Sequence, residues 1–160
     1  MALRRILGKT EDTLRKISRP VEKIDSRVNT LIDDMIETLA HAQGAGLAAP
    51  QVGVLRRIVI VDVGEGPIVM INPEITYKEG VQESVEGCLS IPGEWGLTRR
   101  PMKVRAEYTD RKGRRREIEG EELLAKAICH ELDHLDGILY TDKVIRMVDP
   151  SEFENEEEGK

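Results

Sequence analysis

Residues 128–135 read ICHELDHL, which contains the pattern H-E-x-x-H at His130, Glu131 and His134. Residues four apart on an α-helix lie nearly above one another, about 6 Å apart along its axis, so the two imidazoles can hold one metal ion. Glu131 lies about 100° round the helix, where its carboxylate can reach a water molecule on that ion. The pattern therefore indicates a metal site with a proton-carrying carboxylate. The alternative is a surface helix that happens to carry two histidines.

A helical pattern surrounds this stretch and runs from about Gly120 to Leu135. One face carries both histidines with Leu123 and Ala127, and the opposite arc is polar, comprising Glu122, Lys126, Asp133 and Asp136. Histidine and glutamate are uncommon on a buried face unless they are paired or bound to a metal, which favours the metal site. Cys129 is expected to point toward the polar arc as a free thiol, and Gly137 is expected to end the helix.

Composition limits the class of protein. The chain has 160 residues, 39% of them hydrophobic and only 3% aromatic, which predicts one domain with an aliphatic core. It has no apolar run of about 18 residues and no apolar segment typical of a signal peptide, so no membrane partner is expected. Two cysteines indicate a reducing compartment, which we take as the cytoplasm. A net charge of −6 argues against specific binding of nucleic acid.

The N-terminal part of the chain predicts an irregular arm over residues 1–24, followed by an amphipathic helix. Asp25 or Ser26 can cap this helix, which should end between residues 41 and 44. The glycine-rich segment Gly44–Gly53 follows. It lacks the strand, lysine and spacing of a phosphate-binding loop, so we interpret it as a tight wall beside a substrate, with Gln51 offering N–H donors.

Short strands fill most of the middle of the chain. They are predicted at residues 57–63, 68–71, 75–78, 103–109 and 117–119, with extended segments at 83–92 and within 137–144. Asn72-Pro73 should interrupt the second run. The basic segment RKGRRR at 111–116 is interpreted as a solvated hairpin tip, with a phosphate or RNA patch as the alternative. Residues 1–148 are expected to form a single catalytic domain, and the acidic tail 149–160 is expected to be disordered.

The metal needs a third protein ligand, and several candidates exist. In one family of zinc proteases a histidine follows at the position that Tyr140 occupies here. Another uses a glutamate about twenty residues downstream, but the glutamates at that distance lie in the polar tail, at Glu152, Glu154 and Glu156. Cys88 is the remaining good candidate, because a thiolate is a strong ligand for zinc or iron(II).

Three segments together resemble peptide deformylase, in the order that this family has them. They are GAGLAAPQ at 44–51, EGCLS at 86–90 and HELDH at 130–134, and the resemblance extends over about residues 1–145. It implies an α+β fold in which antiparallel and mixed β-sheets wrap around a central HExxH-bearing helix, with an N-terminal amphipathic helix. It also implies a hydrolase that removes the formyl group from the N-terminal formylmethionine of nascent polypeptides and releases formate, in a bacterial or organellar setting. The short chain without a transit peptide resembles the bacterial form.

The resemblance assigns Cys88, His130 and His134 as metal ligands. Iron(II) is the family's usual metal in the cell, and zinc, nickel or cobalt can occupy the same site. A metal-bound water would attack the formyl carbon, and Glu131 would act as the general base that returns the proton to the leaving amine.

The resemblance also assigns groups that hold the substrate. Gln51 and the backbone N–H of Leu89 match the donors to the developing oxyanion, and Gly46 matches a backbone contact to the peptide. The pocket for the methionine side chain is expected at Ala45, Gly87, Leu123 and Ala127. This chain departs from the family at Ala45, where a larger aliphatic residue is common, and at Cys129, where many members have glutamine.

Further expectations concern partners and rival functions. Arg100 could pair with Asp133 and brace the metal-binding helix. The acidic tail differs from the basic helical tails that some members use at the ribosome, which argues against ribosome docking through it. The rival functions are a zinc endopeptidase that uses the same helix and leaves Cys88 idle, and a metal-binding module without catalysis.

Overall fold

Eight strands form two antiparallel sheets in the computed structural model, which describes residues 2–152. The larger sheet contains, in spatial order, β1 (Gly46–Ala48), β2 (Ile58–Val61), β3 (Ile68–Glu79), β6 (Lys103–Thr109) and β7 (Arg115–Glu121). The smaller sheet contains β4 (Gln82–Cys88), β5 (Ile91–Arg100) and β8 (Val144–Val148). An α+β fold with antiparallel sheets is therefore confirmed. The predicted mixed sheet is wrong for these residues, because the parallel pair Arg19–Arg56 is an isolated bridge outside both sheets.

Helix α1 (Ser26–Ala42) begins where the sequence predicts. The carboxylate of Asp25 accepts a hydrogen bond from the backbone N–H of Val28 at 3.0 Å, which satisfies one of the unpaired donors of the first turn. Apolar side chains at helical spacing face the sheet and are buried, at Leu31, Ile32, Met35 and Leu39. They pack against β1 and β2, and so hold α1 behind the glycine-rich segment.

Helix α2 (Leu123–Leu135) carries the HELDH segment and contacts strands of both sheets. It begins later than the predicted Gly120, because Gly120 and Glu121 pair with β6 as the end of β7. Cys129 is a free thiol but does not face the polar arc as predicted; it is buried against the larger sheet, and burial raises its pKa. Gly137 follows the helix with φ +74°, as expected of a residue that ends a helix.

The strands differ from the sequence prediction in several places, among them β1, which forms within the glycine-rich segment. β3 runs unbroken through Asn72-Pro73, because a register shift between Ile71 and Glu74 relieves the proline of a ladder hydrogen bond. β5 was not predicted, since Pro92, Gly93 and Gly96 resemble turn residues. The closing strand is β8, beyond the predicted range, and a 3₁₀ turn at Tyr140–Asp142 precedes it.

The N-terminal arm, residues 2–24, crosses the C-terminal end of α2. Its regular structure is one 3₁₀ turn at Asp12–Arg15. The backbone N–H of Ser18 donates to the carbonyl of Leu135 at 2.8 Å, and Arg57 donates to the same carbonyl at 3.1 Å. The arm and Arg57 together therefore satisfy the carbonyl of Leu135, one of the groups that the end of a helix leaves unpaired.

The end of the described chain makes contacts of its own. Glu152 pairs with Arg146 at 3.2 Å, so this part of the predicted tail touches β8. Residues 153–160, which include most of the tail predicted to be disordered, lie outside the described residues. Within residues 2–152, no helix is both long and apolar enough to cross a membrane.

Gly137→Ala is expected to lower the free energy of unfolding by about 3 kcal/mol, measured by urea denaturation. A Cβ at this position would lie 2.5 Å from the backbone oxygen of Arg15, in addition to the strain of a positive φ. Gly113→Ala is the matched control, because Gly113 has φ +81° with no atom within 4 Å of the added Cβ. It should cost about 1 kcal/mol. Equal losses would contradict a tight packing of the arm against α2.

Candidate active site

One thiol and two imidazoles converge between α2 and the end of β4. The Sγ of Cys88 lies 3.4 Å from Nε2 of His134, and the Nε2 atoms of His134 and His130 are 3.2 Å apart. One donor atom from each residue lies within 4.8 Å of the others. Helix α2 supplies the two histidines, which are four residues apart. The cysteine is the last residue of β4, a strand of the smaller sheet.

The chemistry of this donor set fits a divalent transition metal. A sulfur and two imidazole nitrogens suit zinc, iron(II) and related ions, and three protein ligands leave a position open for water or substrate. Burial lowers the pKa of His134 well below its usual value, which keeps its imidazole in the neutral form that binds metals. The ring of Tyr140 stacks beside His130, with ring centroids 6.1 Å apart, but its hydroxyl donates to the carbonyl of Glu94. Glu152 pairs with Arg146, and the candidates Glu154 and Glu156 lie outside the described residues.

Glu131 lies beside the three donors and is almost completely buried. Its Oε2 lies 3.9 Å from Nε2 of His130, and its Oε1 has no hydrogen-bond partner among the described residues. Burial raises the pKa of Glu131 to about 7, so this carboxyl can gain and lose a proton near neutral pH. Gly46 makes the approach possible, because a Cβ there would lie 2.7 Å from the Cδ of Glu131.

Gln51 is held rigidly on the other side of the cluster. Its Oε1 accepts a hydrogen bond from the backbone N–H of Ala48 at 2.9 Å, and its Nε2 donates to Oγ of Ser90 at 3.0 Å. The same amide nitrogen lies 3.5 Å from Sγ of Cys88, so the amide faces the donor set. Within the described chain, the backbone N–H of Leu89 has no hydrogen-bond acceptor.

A buried ionic network contacts His130 at Nδ1, on the side of the ring away from the other donor atoms. Nδ1 of His130 contacts the carboxylate of Glu86, and Arg100 donates to both oxygens of Glu86, at 2.6 and 3.1 Å. Arg100 also pairs with Asp133 at 2.7 Å, which confirms the contact expected from the sequence. Hydrogen bonds from these partners lower the pKa of Glu86 despite its burial, so it remains a carboxylate.

Sequence reasoning missed the role of Glu86. A usable signal was present, because Glu86 and Cys88 are two residues apart on a strand and therefore share a face. The carboxylate fixes the orientation of the His130 ring, which leaves Nε2 directed at the other donors.

Arg100→Ala is expected to lower the free energy of unfolding by about 3 kcal/mol, because it leaves Glu86 buried without its cation. The affinity for the metal should also fall, since Glu86 no longer holds His130 in place. Urea denaturation and metal titration measure the two effects. Arg99→Ala is the control on the same strand: Arg99 pairs with Glu83 at the surface and should contribute less than 1 kcal/mol. An Arg100 variant with unchanged stability and metal retention would dismiss the bracing role.

A cavity of about 490 Å³ opens beside the donors and Glu131. All four predicted pocket residues line it, at Ala45, Gly87, Leu123 and Ala127. Leu123 is 48% exposed, although the sequence analysis placed it on the buried face of the helix. Gly87 lies against Trp95, where a Cβ would come within 3.0 Å of the indole. The structure adds Trp95 and Lys126 to the wall. A larger cavity, of about 1010 Å³, lies between the arm and α1 and includes none of the donors.

Comparison with known proteins agrees with this geometry. Residues 3–149 match the family model described as polypeptide deformylase. A peptide deformylase of Acetivibrio thermocellus is 55% identical over 160 residues, which is 100% of this chain and 94% of that protein. A peptide deformylase of Alkaliphilus metalliredigens is 56% identical over 146 residues, covering 91% of this chain and 99% of that protein.

Solved structures show the same fold. The crystal structure of peptide deformylase from Thermotoga maritima superposes with a TM-score of 0.88 at 39% identity, covering 90% of this chain and 99% of that one. A peptide deformylase from Synechococcus elongatus, solved in complex with actinonin, gives a TM-score of 0.85 at 36% identity, covering 94% of this chain and 81% of that one.

Proposed function

This chain belongs to the polypeptide deformylase family, metal-dependent hydrolases that remove the formyl group from nascent peptides, and we propose how its own residues do so. Cys88, His130 and His134 would hold the metal. The observation that carries this proposal is their convergence within 4.8 Å beside Glu131. A divalent ion bound there lowers the pKa of a water molecule and polarises a carbonyl oxygen.

Glu131 is the proton carrier of the reaction in this proposal. Its unpartnered Oε1 takes a proton from the water that adds to the formyl carbon. When the C–N bond breaks, the same carboxyl gives that proton to the amine nitrogen, and formate leaves. Burial favours the protonated form of this carboxyl, which helps a group that must hold a proton and then release it in one cycle.

Gln51 and Leu89 would stabilise the negative charge that develops on the formyl oxygen. The Gln51 side chain is fixed by Ala48 and Ser90, and its second N–H points at Sγ of Cys88, so it needs little reorganisation to reach a substrate held at the same donors. The free backbone N–H of Leu89 supplies another donor on the same side. Gly46, which leaves room for Glu131, would contact the peptide backbone.

Iron(II) is the metal we propose for the cell, with zinc, nickel or cobalt able to replace it in purified protein. The sulfur ligand supports an ion softer than magnesium or calcium. The methionine side chain would enter the cavity between Ala45, Gly87, Leu123 and Ala127. The small side chain of Ala45 leaves more room there than a larger aliphatic residue would.

The substrate class also suggests the setting. We infer that residues 1–148 act as one catalytic domain, with α2 as the central element that the sheets surround and α1 packed against β1 and β2. We propose a bacterial cytoplasm as the setting, which is supported by formylmethionine as the first residue of bacterial nascent peptides and by the bacterial origin of the relatives. Contact with the ribosome would then use surfaces other than the acidic tail.

Formate release from a formyl-methionyl tripeptide tests the proposed function directly, with protein purified without oxygen and metal counted on the same sample. We expect rapid release with about one iron or nickel ion per chain. No formate from a metal-loaded sample would refute the proposal. Cleavage of internal peptide bonds by such a sample would favour the endopeptidase.

A further inference from the structure

Lys126 places an ammonium group in the wall of the active-site cavity. It is half-buried on α2, and its Nζ donates to the carbonyl of Val85 at 3.0 Å. An ammonium has three N–H donors, so this contact leaves two of them without a protein partner. Among the described residues, no carboxylate forms an ion pair with Lys126. Burial lowers its pKa, and the attraction of the nearby Glu86 carboxylate only partly offsets this.

The other charged side chains around this cavity already have partners or a role. Glu86 is bound by Arg100 and His130, and Glu94 pairs with Lys9 at 2.6 Å. Glu131 lies beside the metal-binding groups. Lys126 is the one lysine or arginine among the described residues that line the cavity. The cavity therefore offers an incoming peptide a cation without a counter-ion.

The position of Lys126 indicates which part of a peptide can reach it. Lys126 precedes His130 by four residues, so the two side chains share a helix face about 6 Å apart along the axis. In the proposed function the formyl group lies against His130. The inference takes the peptide to run from His130 along α2 toward the N-terminal end of that helix. At about 3.3 Å per residue, an extended chain in that direction brings the residues after the first one toward Lys126.

We propose that Lys126 gives this enzyme a preference for an acidic side chain at the second or third residue of its formylated substrates. The inference rests on the proposed function, because it assumes that the peptide enters this cavity with its formyl group at the donors. A carboxylate there would complete the hydrogen bonds of the ammonium and replace water around a half-buried charge.

The test uses formyl-Met-X-Ala-Ala and formyl-Met-Ala-X-Ala amides with X as Glu, Gln or Lys. The amidated C-terminus removes a second carboxylate that could reach Lys126. In one of these two peptide series, we expect kcat/KM to be about fivefold higher for the peptide with Glu than for the peptide with the isosteric Gln. The peptide with Lys should have the lowest kcat/KM of the three. The preference should shrink in 0.5 M NaCl, because salt screens a partly exposed ion pair.

Three variants assign the preference to the charge of Lys126. Lys126→Met keeps the side-chain length without the charge, so the ratio of kcat/KM for the Glu peptide to that for the Gln peptide should fall close to one. Lys126→Arg keeps the charge and should retain this ratio. Lys126→Glu should instead favour the peptide with X as Lys. Lys112→Met, on the exposed turn between β6 and β7, is the control and should keep the ratio.

Three results would overturn the inference in different ways. Equal kcat/KM for Glu, Gln and Lys peptides in both series would refute the preference while leaving the deformylase function intact. A preference that persists in Lys126→Met, with all peptides slowed alike, would show that Lys126 only ties α2 to Val85. Absence of formate from every peptide would refute the proposed function and this inference together.

Discussion

Glu131→Gln is expected to reduce formate release by about 10³-fold while the protein keeps its bound metal. Glutamine has nearly the same shape and preserves the packing of this buried position, but it cannot take a proton from water or return it to the amine. The measurement is kcat on a formyl-methionyl peptide under anaerobic conditions, with metal content determined on the same preparation.

Glu121→Gln is the matched control for this variant. Glu121 ends β7 with an exposed side chain, and its nearest cation, Lys103, is 3.9 Å away. The control should retain wild-type turnover. A Glu131→Gln protein that keeps more than a tenth of the wild-type kcat would contradict the role of Glu131 as proton carrier. Loss of metal from the same variant would show a structural role instead.

Cys88→Ala is expected to release the metal, from about one ion per chain to less than a tenth, and turnover should fall with it. The change removes the only sulfur from the donor set and leaves two histidines, which are a weak site alone. The measurement is metal content after dialysis against a mild chelator, followed by formate release on addition of excess nickel or zinc.

Cys129→Ala separates this effect from the general cost of losing a cysteine. Cys129 precedes His130 in the chain but is buried in the core, away from the donors. The variant should keep its metal and lose about 1 kcal/mol of stability through the lost core contacts. Full metal retention in Cys88→Ala would instead support the endopeptidase, in which Cys88 has no part.

The spacing of apolar residues correctly predicted those helices and strands that have one buried and one exposed side. The spacing of His130, His134 and Ala127 marks one helix face, and that face does meet the cavity. β6 runs over Lys103–Thr109 as predicted, because its alternation of apolar and polar residues reflects a strand with one buried side. The ends of α2 and β7 were less predictable, since sheet pairing at Gly120 competes with helix formation.

Contacts between distant segments could not be predicted from such patterns. Glu86 pairs with Arg100 because β4 and β5 form a hairpin. β5 itself was not predicted as a strand, because it contains a proline and two glycines. The burial of Cys129 depends on how α2 is rotated against the sheet, which one helix's pattern does not determine. Lys126 is a different case. The sequence analysis assigned it to the polar arc opposite the histidines, but it precedes His130 by four residues and therefore shares the face that lines the cavity.

The arm that crosses the end of α2 has a consequence for the order in which the molecule folds. Arg15 and Gly137 are separated by 122 residues in sequence, and Cys88 and His134 by 46. Contacts of such long range form late and slow the folding of a small domain. During synthesis, the arm, Gln51 and Cys88 emerge before either histidine exists. We therefore expect a nascent copy of this enzyme to lack metal and activity until nearly all of its own chain has been translated.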